Sequence, residues 1–246
     1  MVAFRFPNET DEYRARRDEL LEMEKGLRAQ AEAVARRRRE LPLGGRLRED
    51  YRFEHAADDG GVHEIAFAQL FGEHPCLLLY TMMYGADWDA PCPSCTSLVD
   101  GFNANYFPVS QRCAMAVVAA ARPGQLRDWA RQRGWTLPLY SATKNRYILD
   151  YSVRTGASDP SVIPMMNVFR KTPDGIFHTW GSELISHPME SGHPRHVDAI
   201  WLYWNLLDLT PDGRGNLPVP VQDFKHAYFT RHVLEGGNSN DARVQR

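Results

Sequence analysis

Cys92-Pro93-Ser94-Cys95 sets two thiols three positions apart, near enough to close into a disulfide with little backbone movement. Exchange chemistry needs one sulfur that attacks as a thiolate and a second that resolves the mixed disulfide. The preceding run, Cys76-Leu77-Leu78-Leu79-Tyr80-Thr81-Met82-Met83-Tyr84, reads as a buried strand, and Thr96 to Tyr106 reads as a helix. A C-x-x-C where a strand turns into a helix points to redox work in a βαβ setting. The same spacing taken bare is also half of a metal site.

In that placement the two sulfurs take different roles. Cys92 stands where unpaired N–H groups and the helix dipole favour an anion, and Pro93 suits the first helical position because it has no N–H to leave unpaired. Cys92 is the expected solvent-facing nucleophile and Cys95, one turn in, the more buried resolving thiol. Trp88 either shields the Cys92 sulfur or is an ordinary packed aromatic. Asp100 either shuttles a proton for Cys95 or, with Gly101, ends the helix. No Lys or Arg occurs between Arg52 and Arg112, whereas Glu54, Asp58, Asp59, Glu64, Glu73, Asp87, Asp89 and Asp100 give that stretch a formal −8. Asp87 and Asp89 oppose a thiolate at Cys92 unless a basic group folds in. The expectation is a moderate thiolate and a reducing or isomerase-like exchanger.

Further along, Val162-Ile163-Pro164 precedes a predicted strand, so Pro164 reads as a strand-entry residue, whose bond is ordinarily trans and is cis only with tertiary support. His178 either reaches the site or faces outward from a hairpin strand. Cys76 and Cys113 each border a predicted buried strand and read as small core residues. The competing chemistry is a tetrahedral zinc site built from Cys92, Cys95 and two of His187, His193 and His196. Against zinc, there is no second C-x-x-C, and those histidines stand far along the chain in a Pro/Gly-rich segment.

The elements that would carry these residues follow from periodicity and punctuation. Glu9 to Glu40 holds one Gly and no Pro, and Tyr13, Leu20, Leu27, Val34 and Leu41 recur every seven residues, which predicts a long helix capped by Thr10. Arg36–Arg39 suit its last turn, and residues 1–50 balance 12 Lys/Arg against 11 Asp/Glu. Such a stripe also suits a dimer contact. Asp58-Asp59-Gly60-Gly61 predicts a hairpin between Tyr51–Glu54 and Val62–Ile65. Met115–Ala121 is a second buried strand, Gln125–Arg133 a helix ended by Gly134, and Met165–Arg170 with Ile176–Trp180 a hairpin around Pro173-Asp174-Gly175. A last helix spans about Val197 to Leu207. The order is strand, helix, strand, helix, hairpin, helix. It predicts an α/β protein, a mixed sheet flanked by helices and extended by the long N-terminal helix and the hairpin, with a helical arm at 1–50, a main domain at 51–215 and a tail at 216–246.

With 246 residues, 43% hydrophobic and 24% charged, the chain can bury a sizeable core. A net charge of −2 gives no general pull toward nucleic acid or an anionic membrane, and the longest apolar runs fall far short of a membrane helix. Met1–Pro7 lacks an apolar signal core, so a cytoplasmic protein is expected. In a reducing compartment the pair is expected to cycle rather than to staple.

Several segments together resemble a known family. They are Arg38-Arg39-Glu40-Leu41-Pro42 at the end of the first helix, Tyr51-Arg52-Phe53, Pro91-Cys92-Pro93-Ser94-Cys95-Thr96 with Asp100-Gly101-Phe102, Arg133-Gly134-Trp135-Thr136, Phe177-His178-Thr179-Trp180, and Leu207-Asp208-Leu209-Thr210-Pro211-Asp212-Gly213. Across roughly residues 12 to 215 the chain resembles an uncharacterised bacterial family of thioredoxin-like proteins described as predicted dithiol–disulfide oxidoreductases. The resemblance implies a thioredoxin-like fold, an exchange activity at Cys92 and Cys95, and a proline beside the dithiol at Pro164, where such proteins carry a cis bond that presents backbone to a peptide. Met165-Met166-Asn167 departs from the family pattern.

The expected function is therefore thiol–disulfide exchange, without a cofactor, on a protein or small-molecule thiol or disulfide. Neither nucleic acid nor membrane is an expected partner, and a homodimer through the first helix is compatible. The alternatives are a thioredoxin-fold interaction or structural protein without turnover, and a peroxiredoxin-like thiol peroxidase.

Overall fold

The computed structural model describes residues 5–152, 163–186 and 199–214. The chain divides into two compact units, Met1–Leu43 and Gly44–Arg246. The first is dominated by one helix, α1 (Asp11–Arg39). Thr10 caps it by accepting a hydrogen bond from the Tyr13 N–H at 3.1 Å, Asp11 and Glu12 occupy the first turn, and Arg36–Arg39 the last. No residue of α1 is buried, so its heptad stripe lacks a partner helix within its own unit.

The second unit is built on a seven-stranded sheet. Its strands are β1 (Arg52–Ala56), β2 (Val62–Ala66), β3 (Cys76–Gly85), β4 (Ala114–Ala120), β5 (Leu139–Ser141), β6 (Met165–Thr172) and β7 (Gly175–Gly181), ordered β2-β1-β5-β4-β3-β6-β7. β3, β4 and β5 run parallel, and β6 and β7 antiparallel to their neighbours. The helices are α2 (Pro93–Ser110), α3 (Pro123–Arg133), α4 (Tyr147–Tyr151) and α5 (Leu202–Leu207). In this order β3 sits centrally between parallel β4 and antiparallel β6, which is the thioredoxin-like arrangement expected. The β1–β2 hairpin extends this sheet at one edge, through Glu54 opposite Ser141. Arg46 bridges to Phe177, so the chain just after Leu43 already belongs to the sheet.

The continuous apolar runs of β3 and β4 follow from burial on both faces. On one face Tyr80, Met82, Met115 and Val117 pack with Leu98 and Val99 of α2, Leu126 and Trp129 of α3, and Trp201 and Trp204. On the other, Leu77, Leu79, Ala116 and Val118 meet Phe53, Phe67, Phe71, Tyr147 and Phe169. That second layer is largely aromatic, with Phe67 edge-on to Phe169 at 4.9 Å and Tyr51 edge-on to Tyr147 at 5.7 Å. Among the described residues no helix is long and apolar enough to cross a membrane. The tail from residue 215, the start of the expected last helix at Val197, and the zinc candidates His187, His193 and His196 lie outside the described residues.

Candidate functional site

β3 ends irregularly. Its register against β4 shifts between Met82 and Gly85, a bulge of the kind that re-aims backbone beside functional sites. The chain leaves at Gly85, where a Cβ would fall 2.9 Å from the Trp88 indole, and it returns so that the Cys92 N–H donates to the Met83 carbonyl at 2.9 Å. This pins the first sulfur to the end of the central strand. Cys92 is then the N-cap of α2, with Pro93 in its first turn. The Cys92 carbonyl starts the helix by accepting from the Thr96 N–H at 3.0 Å and the Thr96 hydroxyl at 3.1 Å.

The four cysteines are free thiols; Cys92 is partly exposed and Cys95 wholly buried. The Cys95 thiol stands beside the Cys92 sulfur. That contact is the largest influence on Cys92, which is lowered to about 6 against the opposing effect of burial. The N–H groups of Cys95 and Ser94 and the Ser94 hydroxyl also favour the anion, although no formal side-chain cap is made. Cys95 is pushed well above the ordinary thiol value by burial first and by its neighbour Cys92 second. Two thiols one helical turn apart are thus driven in opposite directions, one toward attack and one toward holding its proton.

The expected opposition from the acidic stretch is corrected by the fold. Basic groups from outside that stretch meet its carboxylates: Arg122 on Asp87 at 3.2 Å, Arg131 on Asp58 at 3.0 Å, Arg133 on Asp100, Lys144 on Glu54 at 2.6 Å and Arg52 on Glu64 at 3.0 Å. No carboxylate is among the groups that move Cys92.

The remaining site candidates fall out as follows. Asp100 is no helix end, since α2 continues through Gly101 to Ser110. Its carboxylate accepts from the Arg133 guanidinium and from the Trp135 indole N–H at 2.7 Å, which ties α2 to the chain at the end of α3. Trp88 is 45% exposed; its indole covers Gly85, and its carbonyl accepts from Gln125 at 3.1 Å. Pro164 stands one step beyond the last β3–β6 pair, Thr81 with Met165, at the same end of the sheet as Cys92. Its bond to Ile163 is trans, as are all those described.

His178 takes neither expected position. It pairs with Phe169, so it lies on the sheet face opposite the dithiol, in hydrogen-bond contact with Asn167 Oδ1 at 2.9 Å and against Tyr151. With Gly45, Asp150, Tyr151, Ser152, Met165 and Asn167 it lines a cavity of about 330 Å³. Among the described residues no cluster of three or more His, Cys, Asp or Glu could hold a metal ion.

Sequence reasoning missed Tyr80. Its side chain is 1% exposed, and its hydroxyl lies against the Cys95 sulfur without a well-formed hydrogen bond. The only signal was a hydroxyl-bearing residue inside an apolar run.

Comparison with curated proteins finds no match. Among solved structures, the chain is similar to the peroxidoxin BcpB from Mycobacterium tuberculosis, at 13% identity over 66% of this chain and 95% of that one, TM-score 0.43. It is also similar to a PrxQ mutant from Xylella fastidiosa (12% identity, 68% and 96% covered, TM-score 0.42) and to thioredoxin peroxidase I from Plasmodium yoelii (14%, 68% and 91%, TM-score 0.41). A family model matches residues 5–232, and the chain belongs to that family, the bacterial proteins of unknown function DUF899.

Proposed function

We propose that this chain is a thiol–disulfide oxidoreductase acting through Cys92 and Cys95. The Cys92 thiolate attacks a substrate disulfide, forms a mixed disulfide and expels the first substrate thiolate, which takes up a proton from solvent. Cys95 then loses its proton and attacks the Cys92 sulfur. The second substrate thiol leaves and the Cys92–Cys95 disulfide closes. The substrate gains two electrons and the pair loses two, so a reductant of the dithiol class must recycle it.

One observation carries the reading: at the start of α2 the partly exposed Cys92 and the wholly buried Cys95 stand side by side, an arrangement that lowers the first thiol for attack and keeps the second in reach with its proton. Trans Pro164, one step beyond the Thr81–Met165 pair at the end of the sheet where Cys92 stands, is proposed to seat the substrate. A second copy is the proposed partner of α1, because a seven-residue apolar stripe without a mate in its own unit suits a parallel or antiparallel helix pair.

Insulin reduction with dithiothreitol is the test, run on wild type, Cys92→Ser and Cys95→Ser with peroxide consumption in parallel. Wild type is expected to accelerate precipitation, Cys92→Ser to abolish the gain, and Cys95→Ser to accumulate a mixed disulfide at Cys92. Peroxide consumption without insulin reduction would give the site to a thiol peroxidase. Equal rates for wild type and Cys92→Ser in both assays would leave a thioredoxin-fold protein without turnover.

A further inference from the structure

Cys76 opens β3, and its neighbours across the sheet are fixed by register. On one side Leu77 pairs with Ala114, so the next step outward sets Cys76 beside Cys113. On the other side Cys76 pairs directly with Arg170 of β6. Adjacent strands lie about 4.8 Å apart, inside the roughly 4.4–6.8 Å between α-carbons that a disulfide spans. Cys113 also shares strand parity with Met115 and Val117, and Cys76 with Tyr80 and Met82, so both thiols point to the same face. The Cys113 thiol donates to the Ala114 carbonyl at 3.4 Å and stands close enough to the Cys76 sulfur to influence its charge. Both cysteines are partly exposed, where the sequence suggested small core residues.

We propose that Cys76 and Cys113 form a second redox-active thiol pair, which closes to a disulfide on meeting a hydroperoxide. The Cys76 thiolate attacks the peroxide oxygen, breaking the O–O bond; Cys76 becomes a sulfenic acid, and water or an alcohol leaves. The Cys113 sulfur then attacks the sulfenic sulfur, the S–S bond forms, and water carries away the hydroxyl with the Cys113 proton. The peroxide gains two electrons and the thiol pair loses two. A hydroperoxide fits better than a bulky disulfide because the sulfurs are only partly exposed.

The charge state agrees with this division of labour. The Cys113 S–H, and with it the Arg170 guanidinium, lowers Cys76 to about 7 against the effect of burial, while Cys113 is raised by the same contact and by its own burial. The pair is independent of Cys92 and Cys95. α2, 18 residues long, separates them, roughly 27 Å of helix, so neither pair can reach the other without unfolding.

The test uses the Cys92→Ser/Cys95→Ser variant and, in parallel, wild type, so the outcome does not depend on activity at Cys92. After hydrogen peroxide at pH 7, peptide mapping without reductant is expected to show one cross-link joining the peptides of Cys76 and Cys113, reversed by dithiothreitol. In Cys113→Ser, dimedone should trap a sulfenic acid at Cys76. Alkylation of Cys76 at pH 7 should slow by roughly 5-fold in Cys113→Ala, as the thiolate fraction falls. Both thiols remaining alkylatable after peroxide, or sulfinic acid building up at Cys76 without a cross-link, would overturn the proposal. A cross-link formed by oxidised glutathione but not by peroxide would overturn its choice of oxidant.

Discussion

The hydroxyl of Tyr80 lies against the sulfur of Cys95, both wholly buried on the α2 face of the sheet. Burial and the neighbouring thiols push the Tyr80 hydroxyl well above the usual phenol range, so it stays protonated and its O–H is available when Cys95 becomes an anion. A hydrogen bond of this kind contributes on the order of 1 kcal/mol, more to a charged acceptor. Tyr80→Phe should therefore lengthen the lifetime of the Cys92 mixed disulfide by about 5- to 10-fold, read by quenching and mass spectrometry. Stability should change little, because the hydroxyl makes no well-formed bond in the reduced state. An unchanged lifetime would show that Tyr80 only fills space.

The lowered Cys92 thiol predicts a pH profile. Below about 6 the sulfur is protonated and inert; above it the thiolate dominates, so iodoacetamide alkylation should rise with pH and level off through that midpoint. Cys95→Ala removes the largest stabilising contact and should move the midpoint upward. The linkage has a defined sign. A depressed folded-state value contributes stability that is fully present above the unfolded value near 9 and is lost as pH falls through about 6. Reduced wild type should gain stability over Cys92→Ser between pH 6 and 9. A redox potential between roughly −270 and −120 mV follows from a thiolate of this intermediate strength.

Asp100 predicts a structural effect without a chemical one. Its carboxylate holds Arg133 and the Trp135 indole, all partly buried, so Asp100→Ala leaves two donors without their acceptor. The cost should be about 2 kcal/mol, or a melting temperature lower by roughly 4–8 °C. The alkylation midpoint of Cys92 should stay where it is. A shifted midpoint at unchanged stability would favour the proton-shuttle role.

These outcomes divide along a physical line. Periodicity and punctuation made β3, β4 and both hairpins legible, because two-sided burial writes continuous apolar runs and tight turns require residues such as Gly60, at φ +88°. β5 is three residues long and α4 five, too short for any period to register. The place of Cys92 and Cys95 at a helix start was readable from the sequence, since Pro93 and the apolar strand before it mark the turn. The partners of Asp100, the neighbour of Cys76 and the face of His178 depend on strand register and on residues 33, 37 and 11 positions away, respectively. Local sequence carries no trace of such pairings. Charge counted along the chain failed for the same reason, because Arg122, Arg131 and Arg133 return to carboxylates far upstream.

His178 supplies a last prediction, on the opposite face of the sheet. Asn167 donates its amide to the Tyr151 carbonyl at 2.8 Å, so its Oδ1 must accept, and the His178 Nε2 carries the proton at 2.9 Å. Burial lowers the ring's affinity for a second proton, outweighing the opposite pull of Glu183. As pH falls below 6.5 the unfolded chain takes up that proton first, so the stability contributed by the neutral ring is full above 6.5 and is lost as pH drops through the lower folded-state value. His178→Gln keeps a donor toward Asn167 and does not titrate. Urea unfolding at pH 5, 6 and 7 should show wild type losing more stability than the variant over that interval, with the two converging in slope at pH 7. Parallel slopes across the whole range would mean that the ring is charged or exposed in the folded protein, and that the cavity it lines is wetter than its packing against Tyr151 and Phe169 implies.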